Sequence, residues 1–154
     1  MKKAFYYPMD IGLVEIVEEE GAIISVDIGA SEKKYLHLEE TPLIKETHQQ
    51  LNEYFMKKRK AFQFPIRLFG TPFQQKVWNE LLFIPYGKTC TYHDIACKIG
   101  NPRANRAVGR AIHFNPIAII VPCHRVIGMN SKLVGYAKGL SVKKLLLELE
   151  QFNG

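Results

Sequence analysis

The sequence predicts two domains, a small α/β domain over residues 1–66 and a mostly helical domain with a helix-turn-helix over residues 67–154. Alternating apolar runs typical of strands are concentrated in the first region. Capped helical segments separated by short turns fill the second. The charge also changes sign. Residues 1–66 carry 9 Lys and Arg against 11 Asp and Glu, a net of −2, whereas residues 67–154 carry 12 against 4, a net of +8.

Three short strands and one helix are predicted in the first domain. The strands are the apolar or alternating runs 5–9, 13–17 and 22–28. The acidic segment 18–21 between the last two is typical of a hairpin loop. Thr41-Pro42 predicts a helix start, because Pro is favoured at the first helical position. The alternating residues 62–66 predict a short edge strand or an extended linker, since Pro65 cannot donate a ladder hydrogen bond.

Two capped helices are predicted at the start of the second domain. The segment Thr71-Pro72-Phe73-Gln74 has the capping-box pattern, with Pro just inside the helix. The buried stripe of this helix is predicted to be Val77, Trp78, Leu81 and Leu82. A turn follows at residues 85–87. Thr91 then predicts a second cap, on a helix that runs to Ile99 and is closed by Gly100.

A third helix, from Asn101-Pro102 to Asn115-Pro116, is predicted to present a basic face. Arg103, Arg106 and Arg110 recur at i, i+3 and i+7, which places them on one side of a helix. The residues between these arginines include the small Ala104, Ala107 and Gly109. A helix with small side chains and a basic face, placed after a Gly-containing turn, indicates nucleic-acid binding. The alternative interpretation is an ordinary solvated surface helix.

The apolar run Ile117–Val121 leads to the candidate site. Five consecutive apolar residues predict a short, buried, extended segment. Pro122 and Cys123 follow at its end. A last helix is predicted from about Ser141, with Glu150 near its end. Its core face is predicted to hold Val142, Leu145, Leu146 and Leu149.

Cys123 is the candidate nucleophile. The thiolate attacks rather than the thiol, and a free Cys titrates at about 8.5, so a reactive Cys needs a base or cation nearby. His124 is its neighbour in sequence, and a Cys-His-acid arrangement is a general form of activated nucleophile. Adjacent side chains diverge in extended backbone, so a bridging water could join the two. A buried, inert thiol is the alternative interpretation, and we expect Cys90 and Cys97 to be ordinary thiols.

The composition excludes several classes of protein. Apolar residues make up 47% of the chain, which argues against general disorder. No apolar run reaches the roughly 18 residues of a membrane span, and no signal-peptide apolar region follows the basic start. We therefore expect a cytoplasmic protein without a membrane partner. Three cysteines without a C-x-x-C pair argue against a disulfide framework, and no paired spacing of Cys and His predicts a metal site.

The segment Val121–Ile127, which reads Val-Pro-Cys-His-Arg-Val-Ile, resembles the active-site signature of the O6-alkylguanine-DNA alkyltransferases, also called methylated-DNA–protein-cysteine methyltransferases. Further elements agree with this family in the same order. They are Gly70–Gln74, Val77-Trp78, Ile84–Gly87, Tyr92, Ile95-Ala96, Gly100–Pro102, Arg106–Gly109, Asn115-Pro116, Gly135-Tyr136, Gly139-Leu140, Lys143 and Glu150. The strong resemblance covers about residues 66–151, whereas over 1–65 mainly the α/β pattern agrees.

The resemblance implies a fold and an activity. The fold is a ribonuclease H-like α/β domain, with a small antiparallel sheet plus a helix, followed by a mostly α winged-helix or helix-turn-helix domain. The activity is DNA repair by direct, irreversible, single-turnover transfer of an alkyl group from O6-alkylguanine to the protein's own cysteine, after the base is flipped out of the duplex. O4-alkylthymine is a further candidate substrate. The resemblance implies double-stranded DNA as partner, a monomer, no cofactor and no metal.

Carried over residue by residue, the resemblance implies three groups of site residues. The catalytic group is Cys123, His124, Glu150, Tyr92 and Asn115. The DNA-binding group is Arg106, Arg103, Arg110, Thr91 and Ala107. The group that contacts the substrate base is Val126, Tyr136 and Lys143.

The family also implies what each catalytic residue does. Cys123 accepts the alkyl group, His124 removes its proton through a water, and Glu150 polarises that histidine. Tyr92 protonates the guanine ring as it leaves. Arg106 fills the gap that the flipped base leaves in the stack. Asn115 supports the turn before the active site.

Two other classes of function fit parts of the pattern, a non-enzymatic DNA binder in either of two forms and a Cys hydrolase. A DNA binder related to the alkyltransferase-like proteins would recognise the lesion without the acceptor cysteine, whereas this chain has Cys123. A plain helix-turn-helix regulator would not need the Cys-His pair. A Cys hydrolase such as an amidase would need an oxyanion hole and repeated turnover, and the basic second domain argues against it.

Overall fold

The computed structural model describes residues 1–29, 37–129 and 132–153, with only the backbone given for 152 and 153. The chain forms two compact units. The first contains Met1–Leu68 together with Pro116–Ala118, and the second contains Phe69–Asn115 and the residues from Ile119 onward. The predicted fold class, a small α/β domain followed by a mostly helical domain, is confirmed. No described helix is long and apolar enough to cross a membrane.

A four-stranded sheet forms one layer of the first unit. Its strands are β1 (Lys2–Met9), β2 (Gly12–Glu19), β3 (Ala22–Ile28) and β4 (His37–Leu38). They lie in the order β3-β2-β1-β4. The three long strands are antiparallel neighbours, as predicted, but the short β4 pairs in parallel with β1 and makes the sheet mixed. The hairpin loop between β2 and β3 has positive φ at both Glu20 and Gly21, as a type I′ turn requires.

Helix α1 (Pro42–Phe55) packs against this sheet. The Thr41 side chain accepts a hydrogen bond from the Ile44 backbone N–H at 3.1 Å, and Pro42 occupies the first helical position. The predicted start is therefore confirmed. The buried face of the helix is Ile44, Thr47, Gln50, Leu51 and Tyr54.

The free edge of β3 is extended by two short segments of the same unit. Ile23 bridges Ile66 in parallel, and its backbone N–H donates to the Pro65 carbonyl at 2.9 Å. Val26 bridges Ile117 in parallel in the same way. The alternating residues 62–66 thus end in a short edge pairing, and the proline lies where no ladder donor is needed.

The second unit is mostly helical. Its helices are α2 (Pro72–Leu81), α3 (Tyr92–Lys98), α4 (Asn105–His113) and α5 (Leu140–Asn153). Strands β5 (Cys90–Thr91) and β6 (Val126–Ile127) form a short parallel pair. The buried apolar side chains include Val77, Trp78, Leu81, Ile95, Val108, Ile112 and Leu146. The Trp78 indole N–H donates to the Ala111 carbonyl at 2.8 Å, which joins α2 to α4.

Capping boxes begin α2 and α3. Thr71 accepts from the Gln74 backbone while the Gln74 side chain accepts from the Thr71 backbone. Thr91 and Asp94 make the same reciprocal pair. Both predicted caps are confirmed. Leu82, predicted in the buried stripe of α2, is instead 42% exposed, because α2 ends at Leu81.

The third predicted helix begins later than expected. Helix α4 starts at Asn105 rather than at Asn101-Pro102, and Ala104 occupies its N-cap position without a side-chain hydrogen bond. Asn101 uses its backbone in the turn that ends α3, where its N–H donates to the Ala96 carbonyl at 2.9 Å. Arg103 therefore lies in the preceding turn, and the predicted helical stripe of three arginines is wrong at this residue.

Two further predictions are corrected by the backbone and by burial. The run Ile117–Val121 is mostly buried but not extended, because a turn follows Ile117 and Ile119 has a φ of +71°, which β-branched residues rarely adopt. Helix α5 was predicted to bury four apolar residues. Of these, Leu146 is buried as predicted, whereas Leu145 is 44% exposed and Val142 and Leu149 are half-buried. The helix buries Lys143 and Glu150 as well.

Candidate active site

The Cys123 thiol is held in a tight buried turn. Cys123–Arg125 form one turn of 3₁₀ helix between Pro122 and strand β6. Cys123 is 5% exposed. The Asn115 side-chain amide donates to the Cys123 Sγ at 3.1 Å and to the Val121 carbonyl at 2.9 Å. One amide group thus orients both the sulfur and the backbone that precedes it.

The thiol is protonated at neutral pH in this arrangement. Burial raises the pKa of Cys123 above its usual value, because desolvation disfavours the thiolate. The hydrogen bond from Asn115 and the positive charge of Lys143 act in the opposite direction. The site therefore offers partial stabilisation of a thiolate that must still be formed by removing a proton.

His124 and Glu150 form a buried pair. The His124 Nε2 lies 2.6 Å from the Glu150 Oε2, and both side chains are almost fully buried. Burial lowers the pKa of His124, and Glu150 opposes this effect. The other ring nitrogen, Nδ1, is buried and has no hydrogen-bond partner among the described residues. A neutral imidazole with one free nitrogen is equipped to accept a proton.

Arg125 is a buried residue of this site to which neither the motifs nor the family resemblance assigns a role. Its Nε donates to the Glu150 Oε1 at 2.9 Å and its Nη2 to the Oε2 at 3.1 Å. Its Nη1 donates to the Ile84 carbonyl at 2.7 Å. The sequence contains a signal for this pairing. Arg125 lies directly before the apolar Val126-Ile127, and a buried cation requires an acidic partner. The second domain has only four acidic residues that could supply it.

The side chains of Tyr92 and Lys143 both donate hydrogen bonds to the loop that precedes α5. The Tyr92 hydroxyl donates to the Val134 carbonyl at 2.9 Å, and the Lys143 Nζ donates to the same carbonyl at 3.1 Å. Lys143 also donates to the carbonyls of Val126 and Gly135. Burial, and then the nearby Cys123, raise the pKa of Tyr92. Tyr92 is therefore a neutral phenol that can donate a proton.

Tyr136 and Val126 complete the surroundings of the thiol. The Tyr136 hydroxyl oxygen is buried, and in the part of the chain that the structure describes no group meets the geometry of a hydrogen bond to it. Burial raises the pKa of Tyr136, and Cys123 adds to the effect, which places the two side chains close together. Val126 is fully buried in β6 and presents its carbonyl to Lys143.

An open pocket lies beside α3 and α4. It has a volume of about 320 Å³ and is lined by Thr91, Tyr92, His93, Asn105, Arg106, Gly109 and Met129. The Arg106, Ala107 and Arg110 side chains are exposed on α4, and Arg103 is exposed in the turn before it. Thr91 uses its side chain to cap α3. Of the predicted DNA-binding residues, Thr91 and Arg106 line this pocket, Ala107 and Arg110 are exposed on the same helix as Arg106, and Arg103 lies in the turn before it.

The chemistry available here is nucleophilic substitution by sulfur. A buried thiol, a histidine with a free nitrogen and a neutral tyrosine supply a nucleophile, a base and an acid. Among the described residues, no group of three or more His, Cys, Asp and Glu side chains could hold a metal ion.

Two family models match the chain, one in each half. Residues 2–68 match the ribonuclease-like domain of 6-O-methylguanine DNA methyltransferase, and residues 72–152 match its DNA binding domain. A methylated-DNA–protein-cysteine methyltransferase of Methanosarcina acetivorans is 55% identical over 113 residues, which are 73% of this chain and 72% of that protein.

Solved structures give the same result for the whole chain. The crystal structure of Mycobacterium tuberculosis O6-methylguanine methyltransferase aligns with a TM-score of 0.91 and 39% identity, over 100% of this chain and 95% of the other. The structure of the M. tuberculosis protein in complex with DNA aligns with a TM-score of 0.88 and 40% identity, over 99% and 93% of the two chains.

Proposed function

The chain belongs to the 6-O-methylguanine DNA methyltransferase family, and from this premise we propose that it transfers an alkyl group from O6 of guanine in double-stranded DNA to the Sγ of Cys123. One observation carries the proposal. The buried Cys123 thiol accepts a hydrogen bond from Asn115 beside a buried His124–Glu150 pair, in the part of the chain that matches the DNA binding domain of the family.

The reaction is a direct displacement at the alkyl carbon. The bond from sulfur to carbon forms as the bond from carbon to O6 breaks, and the electron pair of that bond stays with the guanine. The thiol proton passes to the free Nδ1 of His124 through a bridging water, and Glu150 polarises the ring. Tyr92 exchanges its present acceptor, the Val134 carbonyl, for the guanine ring and protonates the leaving group.

The product makes the protein a single-use reagent. Transfer leaves a thioether on Cys123, and a thioether offers water no ready leaving group. The reaction is therefore irreversible and self-inactivating. Each chain repairs one lesion.

The target oxygen lies inside a base pair, so the base must be flipped out of the duplex. Unpairing and unstacking cost a few kcal/mol, and less for a damaged pair. Insertion of the exposed Arg106 into the vacated space offsets part of that cost. Arg103, Arg110, Thr91 and Ala107 bind the DNA around this point. Small residues on α4 favour a close approach to the minor groove.

The flipped base is held next to the thiol. We assign its contacts to the backbone of Cys123 and Val126 and to the side chains of Tyr136 and Lys143. The support for this assignment is that burial and the effect of Cys123 raise the pKa of Tyr136, while Lys143 lowers that of Cys123. O4-alkylthymine is a candidate second substrate of the same pocket.

The division of work between the domains is also part of the proposal. Residues 67–154 carry DNA binding and the chemistry, and residues 1–66 support them. We propose that the protein acts as a monomer in the cytoplasm, without a cofactor or a metal.

The test is the mass of the cysteine peptides after the protein meets excess duplex DNA that contains one O6-methylguanine. We expect one added methyl group, on the peptide that contains Cys123. The Cys97→Ser variant, which removes an exposed thiol, should react normally, and Cys123→Ser should gain no mass. Lesion binding by the unaltered protein with no added mass would instead indicate a damage sensor.

A further inference from the structure

Four nitrogen atoms lie at hydrogen-bonding distance from the Glu150 carboxylate, and three of them can only donate. Its Oε1 accepts from the Arg125 Nε at 2.9 Å and from the Gly87 backbone N–H at 3.1 Å. Its Oε2 lies 2.6 Å from the His124 Nε2 and accepts from the Arg125 Nη2 at 3.1 Å. A carboxylate has about four lone-pair sites and no proton to donate. Three definite donors, two of them on a cationic guanidinium, therefore favour the ionised form.

This arrangement decides where the proton lies on His124. Because an ionised Glu150 can only accept, the His124 Nε2 must carry a hydrogen. In the neutral ring the other nitrogen, Nδ1, is then bare. This is the nitrogen that is buried without a partner among the described residues. The base of the reaction is thus available only while Glu150 stays ionised.

Arg125 supplies two of the three definite donors and the only cation among them. Its side chain is 8% exposed, and the fork of its guanidinium matches the two carboxylate oxygens. The third nitrogen is fixed by the Ile84 carbonyl at 2.7 Å, and the guanidinium lies over the Tyr86 ring at 5.7 Å from its centroid. The turn between α2 and α3 therefore holds the arginine in the orientation that Glu150 requires.

We propose that Arg125 is a positioning residue of the transfer reaction, which keeps Glu150 ionised and thereby holds His124 in the tautomer whose bare Nδ1 receives the Cys123 proton. The inference rests on the proposed function, because it assigns His124 as the base. It adds a residue that touches neither the thiol nor the DNA in this account.

Electrostatics around the ring agree with this role. The groups around His124 are Glu150 and Lys143 from α5, the helix packed against this turn, and Arg125 and Cys123 from the turn itself. After burial, the positive charges of Arg125 and Lys143 lower the pKa of His124, whereas Glu150 raises it. Removal of the Arg125 charge must therefore raise the pKa of His124 and leave the ring protonated at higher pH.

The first test is the pH profile of single-turnover methyl transfer. For Arg125→Met we expect the acid limb of the pH–rate profile to shift to higher pH by about one unit. At pH values below this limb, transfer should be about tenfold slower than in the unaltered protein. Arg125→Lys, which retains charge but not the fork, should lie between this variant and the unaltered protein. Arg59→Met removes an arginine paired with Glu53 in the first unit and is the matched control, with no shift of the limb. A uniformly slower rate with an unmoved limb in Arg125→Met would overturn the proposal.

The second test does not need activity. Two-bond ¹H–¹⁵N correlation spectra report which nitrogen of each histidine carries hydrogen, and His124→Asn identifies the His124 signals. We expect the Nε2–H tautomer in the unaltered protein and a mixed or protonated ring in Arg125→Met. The same pure tautomer in both would overturn the role of Arg125. Failure of the unaltered protein to methylate Cys123 would refute the proposed function instead, and the spectra would still decide the tautomer.

Discussion

Replacement of Glu150 by Gln should destabilise the second unit far more than its small change in shape suggests. Gln has nearly the same volume as Glu but no charge, and its amide NH₂ would face a donor. The variant leaves the Arg125 guanidinium buried without its counter-charge. Breaking a buried ion pair by removing one partner typically costs about 3–5 kcal/mol.

The chain contains a matched control for this magnitude. The Arg59 Nε donates to the Glu53 Oε1 at 2.9 Å, which is the distance between the same atoms of Arg125 and Glu150. The two pairs differ in burial. Arg59 and Glu53 are 23% and 32% exposed, whereas Arg125 and Glu150 are 8% and 1% exposed. Solvent screens the exposed pair, so Glu53→Gln should cost at most about 1 kcal/mol.

Urea unfolding measures both costs. Trp78, the only tryptophan, is buried in the second unit, so its fluorescence follows the unfolding of that unit. Far-UV circular dichroism follows the whole chain and reports the Glu53→Gln control. The midpoint should fall by the urea concentration that corresponds to about 3–5 kcal/mol for Glu150→Gln. Equal and small losses in both variants would refute the argument that burial makes the Arg125–Glu150 pair important.

Three further predictions concern the reacting groups. Tyr92→Phe should slow transfer about a hundredfold, because no tyrosine hydroxyl protonates the guanine as it leaves. Duplex affinity, measured by fluorescence anisotropy, should stay nearly constant. An unchanged transfer rate would count against Tyr92 as the proton donor. Arg106→Ala should reduce the repair rate more than it reduces duplex binding, and equal losses in the two assays would exclude a role in base flipping. Iodoacetamide at neutral pH should label the exposed Cys97 before Cys123. The labelling of Cys123 should accelerate as the pH rises towards the raised pKa of this thiol. Peptide masses that show Cys123 labelled first would contradict the raised pKa.

Local signals in the sequence were sufficient for most of the fold. Thr41, Thr71 and Thr91 each begin a helix because the side-chain oxygen accepts a hydrogen bond from a free backbone N–H group. At Thr71 and Thr91 the third residue, Gln74 or Asp94, completes a capping box. These interactions lie within four residues of sequence, so the pattern determines them. The three long strands β1, β2 and β3 followed equally from apolar or alternating runs, whereas the two-residue strands β4, β5 and β6 were not predicted.

Predictions that depend on distant partners were less successful. Asn101-Pro102 has the composition of a helix start, but the Asn101 backbone is used by the turn that ends α3. The positive φ of Ile119 contradicts the preference of a β-branched residue, and nothing in the local sequence indicates it. Tertiary structure determines both positions.

The candidate site likewise was predicted only in part, because some of its contacts join residues that are distant in the sequence. The resemblance to a family supplied Cys123, His124 and Glu150 but no role for Arg125. Apolar periodicity predicted only part of the buried face of α5, because that helix turns Lys143 and Glu150 inward, where backbone carbonyls and Arg125 satisfy them. A pattern of apolar residues cannot reveal a buried charge whose partner is 25 residues away.

The most direct test of the account is the number of lesions that one chain repairs. Purified protein is mixed with a tenfold excess of duplex DNA that carries O6-methylguanine, and the intact mass and the remaining lesions are followed to completion. We expect one methyl group per chain on Cys123 and one lesion lost per chain, with no further loss when fresh DNA is added. Several lesions lost per chain, or lesions lost without a methyl group on Cys123, would contradict it.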